Sequence, residues 1–72
     1  MEEIALTRFV DADVRAETLI SVRAGAGLIE LRLVLAEGEV DVVMTPADCQ
    51  RLREALHLAA AHAQGRKYEW SR

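Results

Sequence analysis

Apolar residues recur at intervals of three and four between residues 45 and 64, and this spacing predicts one α-helix. The positions are Cys49, Leu52, Leu56, Ala59 and Ala63, with Ala55 and Ala60 widening the stripe. They form one face of a helix with 3.6 residues per turn. Thr45 is a good N-cap, Pro46 suits the first helical position, and Gly65 suits a left-handed C-terminal cap. At 1.5 Å per residue, such a helix is about 28 Å long and can cross a four-stranded sheet diagonally.

Apolar and polar residues alternate before this helix, which predicts β-strands. The predicted strands cover residues 3–10, 18–23, 28–35 and 40–44. The third is the clearest, and its alternate residues Ile29, Leu31, Leu33 and Leu35 are expected to face the helix. Glycines at residues 25 and 27 and the Glu37-Gly38 pair indicate hairpin turns. Residues 11–17 are predicted to be a loop or one helical turn, with Asp11 or Asp13 as a side-chain cap.

These elements predict an α+β fold, an antiparallel β-meander of three to four strands with one C-terminal α-helix packed across one face. The strand at residues 3–10 is expected at an edge of the sheet. The domain covers residues 1–65, and residues 66–72 form a short basic and aromatic C-terminal tail. The predicted core consists of Leu6, Leu19, Ile29, Leu31, Leu33, Val40, Val42, Met44, Leu52, Leu56 and Ala59.

The chain has 72 residues and one cysteine. A domain of this size buries only about 60 % of its unfolded surface. It has no disulfide framework and no Cys and His cluster to compensate, so association is the remaining way to bury apolar surface. We therefore expect a homodimer. The lone thiol, the absence of a signal-peptide pattern and the lack of a long apolar run predict a soluble, cytoplasmic protein.

The net charge of −3 is unevenly distributed. Residues 1–48 hold four arginines against ten acidic residues, a net charge of −6, and residues 49–72 hold five basic residues against two acidic ones, a net charge of +3. Phosphate neutralisation supplies most non-specific nucleic-acid affinity. An acidic sheet is therefore a poor nucleic-acid surface.

No residue pattern supports catalysis, a cofactor or a metal. His57 and His62 lie about 140° apart around a helix, so they cannot share an ion, and Cys49 is two turns from His57. Gly25 and Gly27 precede a strand rather than a helix, which excludes a dinucleotide fingerprint. The Asp11 and Asp13 region lacks the other ligands of a calcium loop. We expect a protein that is not an enzyme.

Several apolar residues fall outside the predicted core. Leu28, Val34 and Val43 belong to the opposite sheet face, and Leu58 lies off the helix stripe. Tyr68 and Trp70 alternate in the tail, so both point the same way in an extended conformation. Scattered apolar exposure is ordinary, but a small core favours a second buried surface. We predict that these six residues contact a protein partner.

The layout of residues 40–56 has a structural likeness. A strand running from Val40 directly into a Thr45-Pro46 helix start resembles small dimeric single-stranded-DNA-binding domains of transcription cofactors. The resemblance is one of architecture and carries no functional prediction. Those domains use a basic, aromatic-bearing sheet, whereas this sheet is acidic and its aromatic residue is Phe9.

The prediction is therefore a small non-enzymatic protein-interaction or regulatory module of the inhibitor or adaptor type, acting as a homodimer. The alternative is a nucleic-acid-binding protein that uses the basic helix and tail. Its phosphate contacts would be Arg51, Arg53, Arg66, Lys67 and Arg72. Salt dependence distinguishes the two, because phosphate binding weakens steeply as salt rises.

Overall fold

A computed structural model describes residues 1–65 and contains four strands followed by one helix. The elements are β1 (Glu2–Val10), β2 (Glu17–Gly25), β3 (Leu28–Leu35), β4 (Gly38–Met44) and α1 (Pro46–Ala63). The strands form one antiparallel sheet in the order β1-β2-β3-β4. The predicted ββββα arrangement is confirmed, and β1 lies at an edge. The predicted tail, residues 66–72, lies outside the described residues.

Tight turns set the register of the sheet. Ala26 and Gly27 both have positive φ, at 55° and 76°, and they connect Gly25 to its partner Leu28. Two central residues with positive φ define the hairpin turn whose twist matches that of the flanking strands. Glycine adopts this conformation readily, whereas alanine does so only with strain.

The β1–β2 connection is held by one carboxylate. Asp11 Oδ1 accepts hydrogen bonds from the backbone N–H of Asp13 at 2.8 Å and of Val14 at 3.1 Å. The Asp11 backbone also bonds to Ala16 and Arg15. Of the two predicted caps, Asp11 is the one that the structure uses. These two backbone N–H groups lower the pKa of the Asp11 carboxyl below its ordinary value.

The helix is capped at both ends as predicted. Thr45 Oγ1 accepts a hydrogen bond from the backbone N–H of Asp48 at 3.2 Å, and Pro46 occupies the first turn. Gly65 has a φ of +82° and donates its N–H to the His62 carbonyl. Satisfying these otherwise orphaned groups fixes the helix bounds from local sequence.

Strand pairing divides the sheet into two faces, because directly paired residues point the same way. One face, called here the apolar face, consists of Glu2, Ala5, Thr7, Phe9, Thr18, Ile20, Val22, Ala24, Ile29, Leu31, Leu33, Leu35, Val40, Val42 and Met44. The other, called the charged face, carries Glu3, Leu6, Arg8, Val10, Glu17, Leu19, Ser21, Arg23, Leu28, Glu30, Arg32, Val34, Glu39, Asp41 and Val43.

The predicted core is wrong in its membership on β1 and β2. Leu6 pairs with Ser21, and Leu19 pairs with Val34, so both leucines lie on the charged face. A register irregularity between Glu3 and Ala5 changes the alternation of β1. A shift of one residue moves every following side chain to the other face, which is why the phase of this strand could not be read from its sequence.

The core itself is almost absent from the single chain. Among the described residues, Ala61 is the one buried apolar residue and Thr18 the one buried polar residue. The predicted core members Val40, Val42, Leu52, Leu56 and Ala59 are exposed. The radius of gyration is 14.4 Å, against about 11 Å for a compact chain of this length. The helix follows the sheet as predicted, but its apolar stripe does not form a closed core with it.

Candidate interaction surfaces

The apolar stripe of α1 lies on the opposite side of the helix from its most buried residues. Leu58 is half-buried and Ala61 is 6 % exposed, and β3 is the strand that α1 contacts most. By contrast, Leu56 is 62 % exposed and Leu52 is 37 % exposed. At 100° per residue, Leu56 lies about 160° around the helix from Leu58. The side with Leu58 and Ala61 therefore faces the sheet, and the stripe faces outward.

A groove runs along the outward side of α1. Its volume is about 560 Å³, and its described lining residues are Cys49, Leu52, Arg53, Glu54, Leu56 and His57. This volume falls in the range of ligand pockets, but such pockets usually enclose most of the ligand. The lining residues that the structure describes all belong to α1.

The apolar face of the sheet is also open at its edges. Phe9 on β1 is 48 % exposed, and Val40 and Val42 on β4 are 49 % and 44 % exposed. The apolar residues of the two central strands are half-buried. A single 18-residue helix that touches the sheet mainly at β3 leaves both edge strands uncovered.

The charged face carries a band of ion pairs across three strands. Arg32 approaches Asp41 at 2.9 Å, Glu30 at 3.5 Å and Glu39 at 3.9 Å. Glu30 also pairs with Arg23 at 3.2 Å. The hydrogen bond and charge of Asp41, together with the charge of Glu30, raise the pKa of the Arg32 guanidinium further above its ordinary value. The band thus sets two arginines against three carboxylates, so most of its charge is neutralised.

The predicted partner contacts on the sheet share one face but do not form one patch. Leu28, Val34 and Val43 all lie on the charged face. Val43 pairs with Glu30, next to Leu28 along β3, whereas Val34 pairs with Leu19 and Glu39. Leu28 and Val34 are six residues apart along the strand, which is about 20 Å. The ion-pair band separates the two apolar positions.

The remaining predicted contacts are divided between the helix and the tail. Leu58 lies on the sheet-facing side of α1 and is half-buried, so it is not part of an open surface. Tyr68 and Trp70 lie outside the described residues.

The predicted nucleic-acid contacts in the helix do not share a face. Arg51 and Arg53 are two positions apart and therefore point about 160° apart around α1. Arg51 forms an ion pair with Asp48 at 3.1 Å, and Arg53 donates to Gln50 at 3.4 Å. The other three contacts, Arg66, Lys67 and Arg72, lie outside the described residues. Within α1, these arginines cannot contact one phosphate strand together.

Residues 1–65 contain no group of three or more His, Cys, Asp or Glu side chains placed to hold a metal ion. Cys49 is a free, half-buried thiol. The one helix of this region is not long and apolar enough to cross a membrane.

Sequence reasoning missed the direction of the helix stripe and the open edges of the apolar face. The spacing of Leu52 and Leu56 correctly marks an apolar stripe, but spacing does not say which surface covers it. One signal was present in the sequence. Leu58 lies off the stripe, and a helix with apolar residues on two sides can contact two surfaces at once.

Comparison with protein-family models, with curated proteins and with solved structures finds no match for this chain.

Proposed function

We propose that this protein is a small non-enzymatic interaction module, of the inhibitor or adaptor type, that acts as a homodimer. One observation supports the proposal above all others. Twelve large apolar side chains are exposed in the described residues, while a single apolar residue, Ala61, is buried. Exposed apolar surface of this extent is typical of protein interfaces.

The charged face supports binding of a second protein. Its ion-pair band is flanked by exposed Leu28 and Val43 at one end and by half-buried Val34 at the other. Interfaces commonly combine apolar anchors with polar groups that fix register. If the apolar surfaces form the homodimer, the charged face remains free to bind a different protein.

A cytoplasmic location is part of the same proposal. The free thiol of Cys49 fits a compartment in which glutathione and thioredoxin keep cysteines reduced.

The test is the mass in solution, measured by light scattering at low and high salt, with and without a mixed-sequence single-stranded oligonucleotide. We expect a mass of twice 8.0 kDa that changes little with salt and ignores the oligonucleotide. An oligonucleotide-dependent mass that disappears at high salt would instead support the nucleic-acid alternative.

The partner surface is tested with matched variants of the charged face once a binding protein is in hand. Val43→Asp should weaken binding strongly, because it places a charge at an apolar anchor beside Glu30. Glu37→Gln, in the β3–β4 turn, is the control and should leave binding unchanged. Equal affinity of the two variants would remove the charged face from the proposal.

A further inference from the structure

The outward stripe of α1 is apolar, open and made of side chains of two sizes. Its large members are Leu52 and Leu56, and its small members are Ala59, Ala60 and Ala63, all of them exposed. Small residues let helix backbones approach closely, and large residues fill the space between them. The stripe therefore has the composition of one half of a helix–helix contact.

The chain exposes more surface than a compact protein of the same mass. The chain exposes 5788 Å². A compact protein of this mass exposes about 4,450 Å², so the excess is roughly 1,300 Å². A stable interface takes about 800 Å² from each partner. This excess is summed over the whole chain, including the open edges of the apolar face, and it is as large as one interface of ordinary size.

The stripe is complementary to itself. If a two-fold axis passes beside Leu56 and the two helices run antiparallel, Leu52 of one copy lies opposite Ala60 of the other. The same axis sets Cys49 opposite Ala63. At the axis Leu56 meets its own copy, and on either side of it Leu52 and Cys49 each meet an alanine, so the same patch of both copies can form an isologous contact.

We propose that the outward stripe of α1 is the dimer interface and that its occupant is the same stripe of a second copy, packed antiparallel about a two-fold axis at Leu56. The inference rests on the proposed homodimer and specifies its geometry. It places both sheets on the outside of the helix pair, so the charged face of each copy stays open. The dimer is thus a bivalent display of two charged faces.

Disulfide trapping tests this geometry directly. In a Cys49→Ala background, Leu56→Cys places one thiol per copy next to the proposed axis. Arg51→Cys, in the same background, is the matched control, because residue 51 is exposed and lies about 140° around the helix from residue 56. After mild oxidation, we expect Leu56→Cys to cross-link at least ten times faster than Arg51→Cys. Light scattering under reducing conditions gives the mass of each variant.

Failure of the geometry and failure of the homodimer give different results. A dimeric mass with equal cross-linking at the two positions would overturn the interface and leave the homodimer standing. A monomeric mass at every concentration would overturn both. Residues 66–72 are another candidate cover for the stripe. If dimers and Leu56→Cys cross-links appear only after these residues are removed, the inference is also wrong.

A second pair of variants tests the same antiparallel register in case the Leu56→Cys chain does not fold. Leu52→Cys and Ala60→Cys, each in the Cys49→Ala background, are mixed and oxidised. The antiparallel register predicts a mixed disulfide in large excess over either homodisulfide. A statistical mixture of the three products would contradict that register.

Discussion

The sheet and the helix of this protein are equally well defined locally, yet they differ in what their apolar residues contact. In the sheet, each strand pairs with its neighbour in sequence, and short turns fix the register. In the helix, Thr45 and Gly65 set the two ends, but the stripe containing Leu52 and Leu56 faces away from the sheet. Local signals thus specify both elements, while the apolar stripe of the helix stays exposed in the single chain.

The largest expected effect comes from the stripe. Leu56→Asp places a charge at the centre of the proposed interface, in both copies of the dimer. An interface anchor typically contributes at least about 2 kcal/mol. We expect loss of the dimer and a large drop in the unfolding midpoint, measured by sedimentation and by circular dichroism.

The control for this variant is Gln50→Asp, which adds the same charge at an exposed helix position outside the stripe. Exposed substitutions usually change stability by less than about 0.5 kcal/mol. A Leu56→Asp chain that behaves like Gln50→Asp would show that the stripe is ordinary solvated surface.

These variants concern the part of the structure that sequence could not predict. The order of the elements and the bounds of β3 follow from alternation, and the helix ends follow from Thr45, Pro46 and Gly65. These signals act over a few residues. The face of the sheet on which Leu19 lies depends on the register of its strand with the neighbouring strands. Whether Leu56 is buried depends on which other surface, if any, packs on the helix. Neither property is encoded by neighbouring residues.

The next largest effect is expected at the N-cap of the helix, where a substitution tests how much the cap contributes to stability. Thr45→Ala removes the acceptor for the Asp48 backbone N–H. Loss of such a cap costs about 1 kcal/mol. We expect a lower urea midpoint and weaker association, because a frayed helix presents a shorter stripe. Thr45→Ser keeps the hydroxyl and should restore most of the loss. If alanine and serine were equally stable, the cap would not matter here.

A smaller effect on stability, a gain rather than a loss, is expected from a substitution in the β2–β3 turn of the sheet. Ala26 has a φ of 55°, a conformation that asparagine tolerates better than alanine. Ala26→Asn should stabilise the chain by about 0.5–1 kcal/mol. Ala36→Asn, in a turn position without positive φ, is the control and should bring no gain. A destabilised Ala26→Asn variant would contradict the turn described here.

The smallest effect is a pH dependence at the acidic end. Hydrogen bonds from Val14 and Asp13 lower the pKa of Asp11 in the folded chain. Their contribution is fully present above the ordinary carboxyl pKa and is lost as the pH falls through the lower folded value. Asp11→Asn keeps an acceptor oxygen without the charge, so its acid unfolding curve should be shallower. Asp13→Asn serves as the control, and equal slopes for the two variants would exclude this role of Asp11.

The proposed homodimer requires that this chain complete its core by association. Its most direct test is the thermal midpoint of the unmodified protein, measured by circular dichroism over a hundredfold range of concentration. Unfolding coupled to dissociation makes the midpoint rise with concentration. We predict such a rise, together with a mass of twice 8.0 kDa at the upper end. A midpoint that stays constant while the mass remains 8.0 kDa would show that the chain folds without a second copy, and the homodimer would be wrong.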